Sequence, residues 1–169
     1  MRAQRADQGE QWEAVAKLAK IGLPAFHDLI EHLGDQEFCM SLEMPDSGYN
    51  FSVGQACYRI MKCNLMPYGI YNATLGEGWF MKRRPRPMYS QQYKLYEPYW
   101  AYSWWQERRN KSLRELQLEV LDWTIAEEER SPADFTEEER AFLKACRKKL
   151  FASGKAYEPA RVLDGDAFY

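Results

Sequence analysis

Between Glu10 and Leu33 the apolar positions recur every three or four residues in two successive runs, interrupted by Gly22 and Pro24. The first run, Glu10 to Ile21, places Trp12, Val15, Ala16, Leu18 and Ala19 on one stripe; the second, Pro24 to Leu33, turns Phe26, Leu29, Ile30 and Leu33 inward. A glycine suits the left-handed residue that ends a helix, and a proline suits the first turn of the next, where its missing N–H costs nothing. This order predicts two helices meeting as an antiparallel hairpin, closed by Gly34-Asp35.

The same spacing predicts a third helix over 52–65, opened by Ser52 as N-cap and carrying Val53, Ala56, Cys57, Ile60, Met61 and Leu65. Before it, Phe38 to Leu42 fits a short strand or an extended linker, and Met44-Pro45-Asp46-Ser47-Gly48 is a turn signal. Beyond Pro67 the periodicity fails. Gly76, Gly78, Pro85, Pro87 and Pro98 punctuate a region expected to be irregular as far as Glu97. It resumes after Ser112-Leu113-Arg114-Glu115, a capping box opening a helix over 112–130 with Leu116, Val120 and Trp123 on its inner face. An earlier start near Tyr102, with Ser112 inside the helix, is the alternative. A second box, Thr136 to Glu139, opens a helix over 136–152 that turns Phe142, Leu143, Cys146, Leu150 and Phe151 inward and ends at Gly154. The tail from Lys155 is an extended strap or unstructured. The fold class expected is all-α. One domain spans 1–169, made of helices over 10–65, an aromatic and basic insertion over 66–105, C-terminal helices over 106–153 and a tail over 154–169.

The residues Leu18, Ile21-Gly22, Pro24-Ala25, Leu29-Ile30, Leu33 and Asp35 resemble a HEAT-like helical repeat, in which one helix ends at a Gly, the next starts near a Pro and an Asp follows. A second repeat would begin at Phe51-Ser52-Val53-Gly54-Gln55-Ala56-Cys57, giving the ~40-residue period of that class. The resemblance covers about a third of the chain, residues 12–65, and the aromatic, proline-rich insertion replaces the helix that would complete the second repeat. It implies a surface for binding another macromolecule and no catalytic residue.

Composition narrows the function classes. A chain of 169 residues can bury a substantial core, and 46% hydrophobic with 28% charged residues is a soluble globular balance. A net charge of −2 argues against nucleic acid as the partner. No apolar run is long enough for a membrane span, and Met1 to Glu10 has no signal-peptide core, so a cytoplasmic location is expected unless an upstream segment has been removed. Cys39, Cys57, Cys63 and Cys146 include no CxxC pair, and they are expected to be reduced thiols. His27 and His32 are five apart and do not form an i, i+4 metal pair. No metal site, cofactor motif or catalytic signature is present in the sequence.

Aromatic residues are 15% of the chain, and ten of them lie between Trp79 and Trp105, interleaved with Lys82, Arg83, Arg84, Arg86 and Lys94. Tyr, Trp and Arg dominate binding hot spots, because each joins large contact area to a polar handle. The candidate binding residues are therefore Arg83, Arg84, Arg86, Tyr89, Tyr93, Trp100 and Trp104. Adjacent Trp104 and Trp105 point about 100° apart on a helix, and they are not expected to share one buried site. The function expected is a non-enzymatic protein-binding module for a partner with an acidic surface, such as an immunity protein neutralising a toxin or an adaptor. The alternative is a carbohydrate-binding or hydrolytic domain using the insertion as a cleft, in which Glu77, His27 or Asp28 would meet the aromatics.

Overall fold

The first helix, α1 (Arg2–Ile21), starts eight residues before the apolar stripe does, because the polar lead-in holds no proline and periodicity is silent on polar turns. It ends at Gly22, whose φ of 70° lies in the region L side chains avoid. Pro24 then sits in a single 3₁₀ turn, Leu23–Ala25, that leads into α2 (Phe26–Glu31). The computed structural model describes residues 2–44, 47–66, 88–130 and 136–158. Within them the protein is mostly helical, as expected, with one two-stranded antiparallel sheet.

That sheet pairs β1 (Phe38–Met44) with β2 (Ser47–Ser52) in a register running from Phe38 opposite Ser52 to Met44 opposite Ser47, with an irregularity between Phe38 and Met40. Of the two possibilities for Phe38 to Leu42, the strand is the one adopted. β2 runs directly into α3 (Val53–Leu65), where the Ser52 Oγ accepts from the Gln55 N–H and the Gln55 side chain accepts from the Ser52 N–H. The first amides of α3 find partners in the loop after α2: Val53 N–H donates to the Glu37 carbonyl and Gly54 N–H to that of Asp35. A Cβ at position 54 would stand 2.2 Å from the Leu33 carbonyl oxygen, so only glycine lets these two segments approach.

Next come α4 (Tyr89–Gln92), α5 (Pro98–Arg108), α6 (Leu113–Arg130) and α7 (Glu137–Ser153). Both expected capping boxes form: Ser112 with Glu115, and Thr136 with Glu139. Gly154, at φ 67°, ends α7 as expected. Two expectations change here. The region assigned as irregular up to Glu97 contains α4, and the stretch before Ser112 is a separate helix, α5, with Pro98 in its first turn.

Helices α1 and α2 both pack on α3, which packs on α6; α6 carries α7 on one side and α4 on another, and α5 lies against α2. The core is the set shared by these contacts: Phe26, Met40, Ile60, Met61, Leu95, Leu116, Leu121, Leu143 and Leu150 are almost wholly removed from water. Two buried amides tie the layers. Asn64 Nδ2 donates to the carbonyls of Ala19 and Ile60, joining α3 to α1. Gln117 Nε2 donates to the carbonyls of Asn64 and Tyr157, while its Oε1 accepts the Tyr157 N–H. The side chain of Gln117 thus pairs with the Tyr157 backbone as a strand would, and the first residues of the tail form a strap.

Several side chains expected inward are not fully so. Trp123 is half-buried, and Phe142 and Phe151 face solvent. The cause for the two phenylalanines is that the core contact of α7 is to α6, so its buried face is a narrow line through Leu143 and Leu150. No helix among the described residues is long and apolar enough to cross a membrane.

Candidate functional site

Helices α4 and α5 frame an open groove of about 280 Å³, lined by Gln92, Tyr93, Lys94, Trp100, Ser103, Trp104, Glu107 and Arg108. The turn between the helices is a Schellman motif: Leu95 N–H donates to the Ser90 carbonyl and Lys94 N–H to that of Gln91. Its left-handed position is occupied by Lys94 at φ 48°, the one non-glycine residue with positive φ among those described. That backbone costs an L residue roughly 1–2 kcal/mol. In return the turn sends the Lys94 ammonium over the Trp100 ring, 5.4 Å from its centroid, with the Glu97 carboxylate 3.8 Å away.

The floor of the groove is held by a partly buried polar chain. Trp104 Nε1 donates to the Tyr89 hydroxyl at 2.9 Å, and Tyr89 donates to Glu119 Oε1 at 2.6 Å. The same oxygen accepts from Arg108 Nε at 2.8 Å, and Lys111 Nζ reaches the other carboxylate oxygen at 2.7 Å. The Arg108 guanidinium also donates to Glu107 and to the Trp104 carbonyl, and it lies over both the Tyr93 and Trp104 rings. Burial alone would raise the Glu119 carboxyl, but the donors from Lys111, Tyr89 and Arg108 outweigh it and hold it below its ordinary value. Burial pushes the Tyr89 phenol far up, and its donation to Glu119 pushes it further. Burial disfavours the Arg108 charge, yet its bond to Glu119 leaves it more firmly protonated than usual. None of Tyr89, Arg108 and Glu119 is poised to exchange a proton near neutrality. The chain makes a rigid support.

The predicted site residues therefore divide. Trp100, 46% exposed, and half-buried Tyr93 form the groove wall. Tyr89 and Trp104 are core residues, a correction to their reading as contact residues: the polar end of each is spent inside the Glu119 chain. Trp104 and Trp105 are both buried, but in different places. The two faces of α5 pack on different neighbours, Trp104 edge-on to Tyr89 and Trp105 against Phe26 of α2 at 5.7 Å between centroids. Arg83, Arg84, Arg86 and Glu77 lie outside the described residues.

Sequence reasoning missed three other exposed rings of this segment: Tyr96, which is edge-on to Tyr58, Tyr102, and Tyr99, the last 75% exposed and edge-on to Trp100 at 5.4 Å. All stood inside the aromatic cluster, and nothing in the cluster alone separates the outward rings from the inward ones. Among the described residues the one carboxylate lining the groove, Glu107, is 2.7 Å from Arg108, and neither His27 nor Asp28 lines it. His27 instead stands 3.4 Å from Glu31 on the surface of α2. Among the described residues no cluster of metal-ligating side chains occurs, and the four cysteines are free. Cys57 is pushed up to about 11 by burial first and by Cys39 and Asp35 beyond it, which makes it a poor nucleophile. A second hollow, about 10 Å³ between Lys62, Met66, Met88 and Tyr89, is water-sized. No protein-family model, curated protein or solved structure matches this chain.

Proposed function

We propose that the protein is a non-enzymatic binding module whose contact face is the α4–α5 end. The observation that carries this is the concentration of large exposed rings, Tyr96, Tyr99, Trp100 and Tyr102, at one end of the molecule, where Trp100 lines a groove whose floor is immobilised by the Glu119 chain. Exposed aromatic area in one place is costly to a free protein, and it is the composition of interface hot spots. A wall already rigid loses little entropy when a partner seats on it. The partner favoured is another protein. Lys94 and the basic segment Lys82 to Arg86 would favour an acidic surface on it, and an immunity or adaptor role is the finer reading. The HEAT-like likeness of α1 and α2 supports the same class, since such units build packing surfaces.

For the hydrolytic alternative, the groove carboxylate among the described residues, Glu107, is tied to Arg108, and neither His27 nor Asp28 lines the groove; Glu77 lies outside those residues. The test is affinity capture with the intact protein and with a Tyr99→Ala/Trp100→Ala variant, using Phe38→Ala as an exposed-aromatic control. A protein retained by the control and lost with the double variant supports the proposal. Equal retention by all three forms removes the face from consideration.

A further inference from the structure

Helix α7 has a second surface of different chemistry. From Arg140 to Tyr157 the chain carries six cationic side chains and no carboxylate, so the remaining residues hold 17 cations against 25 acids. The cations are thus concentrated in this stretch although the net charge of the protein is only −2. Two of the six are spent on α6: Arg140 pairs with Glu128 and Arg147 with Asp122. Lys144, Lys148, Lys149 and Lys155 are exposed, and among the described residues none of them makes an ion pair. Lys144 and Lys148 share the outward face of α7 with exposed Ala141, Ala145, Ala152 and Phe151, the last 64% exposed; Lys149 and Phe142 flank it. The acidic residues of α7, Glu137, Glu138 and Glu139, are confined to its first turn. Complementing the helix dipole explains acids first and bases last. It does not explain Lys144 in mid-helix, nor an unburied phenylalanine between the lysines.

We infer that the outer face of α7 docks on an anionic lipid surface, lying flat with the lysines at headgroup level and Phe151 dipping into the acyl boundary. Three observations favour lipid over protein or nucleic acid. The free cations are all lysine, whereas fork-like recognition of discrete carboxylates or phosphates uses arginine. Both arginines of this stretch are already paired with carboxylates of α6. Lysine and alanine, the main residues of this face, are depleted from protein interfaces. Lysines flanking an exposed aromatic ring on an outward helix face are the composition that binds membrane interfaces. This inference is independent of the α4–α5 reading, and its test uses different residues.

The full chain is mixed with large unilamellar vesicles of phosphatidylcholine alone or with 30% phosphatidylserine, then sedimented at low and high salt. Each lysine near such a surface is worth about fivefold in partitioning. Binding is expected to the phosphatidylserine vesicles alone and to fade as salt screens it. Lys144→Glu/Lys148→Glu should lower it at least about 25-fold, and Phe151→Ala up to about tenfold. Circular dichroism of each variant reports folding, and the milder Lys144→Gln/Lys148→Gln pair serves if charge reversal unfolds the chain. Equal binding to both vesicle types overturns the inference, as does full binding by the folded charge variants. Failure to bind vesicles at low salt also overturns it, and a labelled 30-mer DNA or polyglutamate bound under those conditions would then name the class of partner instead.

Discussion

The α4–α5 end and the outer face of α7 both present unburied side chains, but they treat their cations in opposite ways. At the first, Arg108 is stacked between rings and bonded to Glu119 and Glu107, so its charge is spent and the surface offers aromatic area. At the second, four lysines have no ionic partner among the described residues and the surface offers charge. The contrast teaches that a count of cations does not identify a binding face. What matters is whether each charge is already satisfied. A satisfied, partly buried pair rigidifies and turns recognition over to shape; an unsatisfied exposed one gives long-range, salt-sensitive attraction.

The largest expected effect separates these two states directly. Glu119→Ala leaves Arg108, Lys111 and the Tyr89 hydroxyl without their common acceptor. It should cost about 3 kcal/mol, the scale for breaking a largely buried pair, as a lowered urea midpoint. Asp122→Ala, which removes the exposed partner of Arg147 on α7, should leave the midpoint unresolved from the parent. Comparable losses in the two variants would erase the distinction between the ends.

Acid sharpens the same point. The Glu119 carboxyl binds its proton less readily folded than unfolded, so its contribution is complete above the unfolded value of about 4.3 and is lost as pH falls through the lower folded value. The parent should lose stability on acidification in that window, and Glu119→Gln should flatten this part of the curve. Lys144→Gln/Lys148→Gln should keep the parent's slope. A parent curve that Glu119→Gln does not change would locate the acid sensitivity elsewhere.

Lys94 tests whether the groove turn is built for folding or for contact. Lys94→Gly relieves the left-handed backbone and should stabilise the protein by about 1 kcal/mol, read as a raised midpoint. The same change removes the ammonium from the Trp100 face and should weaken capture of the partner. A gain in stability with undiminished capture would make the lysine incidental to the site.

Much of this architecture is legible in the chain because it is written in local chemistry. Gly22, Gly154, Ser112 and Thr136 each satisfy a backbone requirement that short spacing reveals, and all four act as that spacing predicts. The buried faces of α2 and α3 follow the apolar period almost residue for residue. Helix α5 is illegible for the opposite reason. Tyr99, Trp100, Tyr102, Trp104 and Trp105 place aromatics on every side, so periodicity cannot orient it, and only its contacts with α2 and the Glu119 chain decide which rings go in. Phe142 and Phe151 fail similarly: they fit the stripe of α7 on paper, but its packing on α6 buries Leu143 and Leu150, with Cys146 partly buried beside them. The candidate site was legible as a composition and not as a surface.

The smallest expected effect is also the one on which the assignment of both faces turns. Tyr99 and Phe151 are the most exposed rings of their respective ends, at 75% and 64%. A ring that exposed gains little from burial, so folding alone gives no reason for a large apolar side chain at either place. Tyr99→Gln forfeits its edge contact with Trp100, and Phe151→Gln forfeits the Arg114 guanidinium 5.7 Å from its ring. Each substitution should therefore move the denaturation free energy by no more than about 0.5 kcal/mol. A loss several times larger at Tyr99 would make that ring part of the fold and withdraw it from the contact face; the same result at Phe151 would place it in the α6–α7 packing rather than at a lipid surface. If both variants keep their stability while Tyr99→Gln loses protein capture and Phe151→Gln loses vesicle binding, the two ends are separately functional.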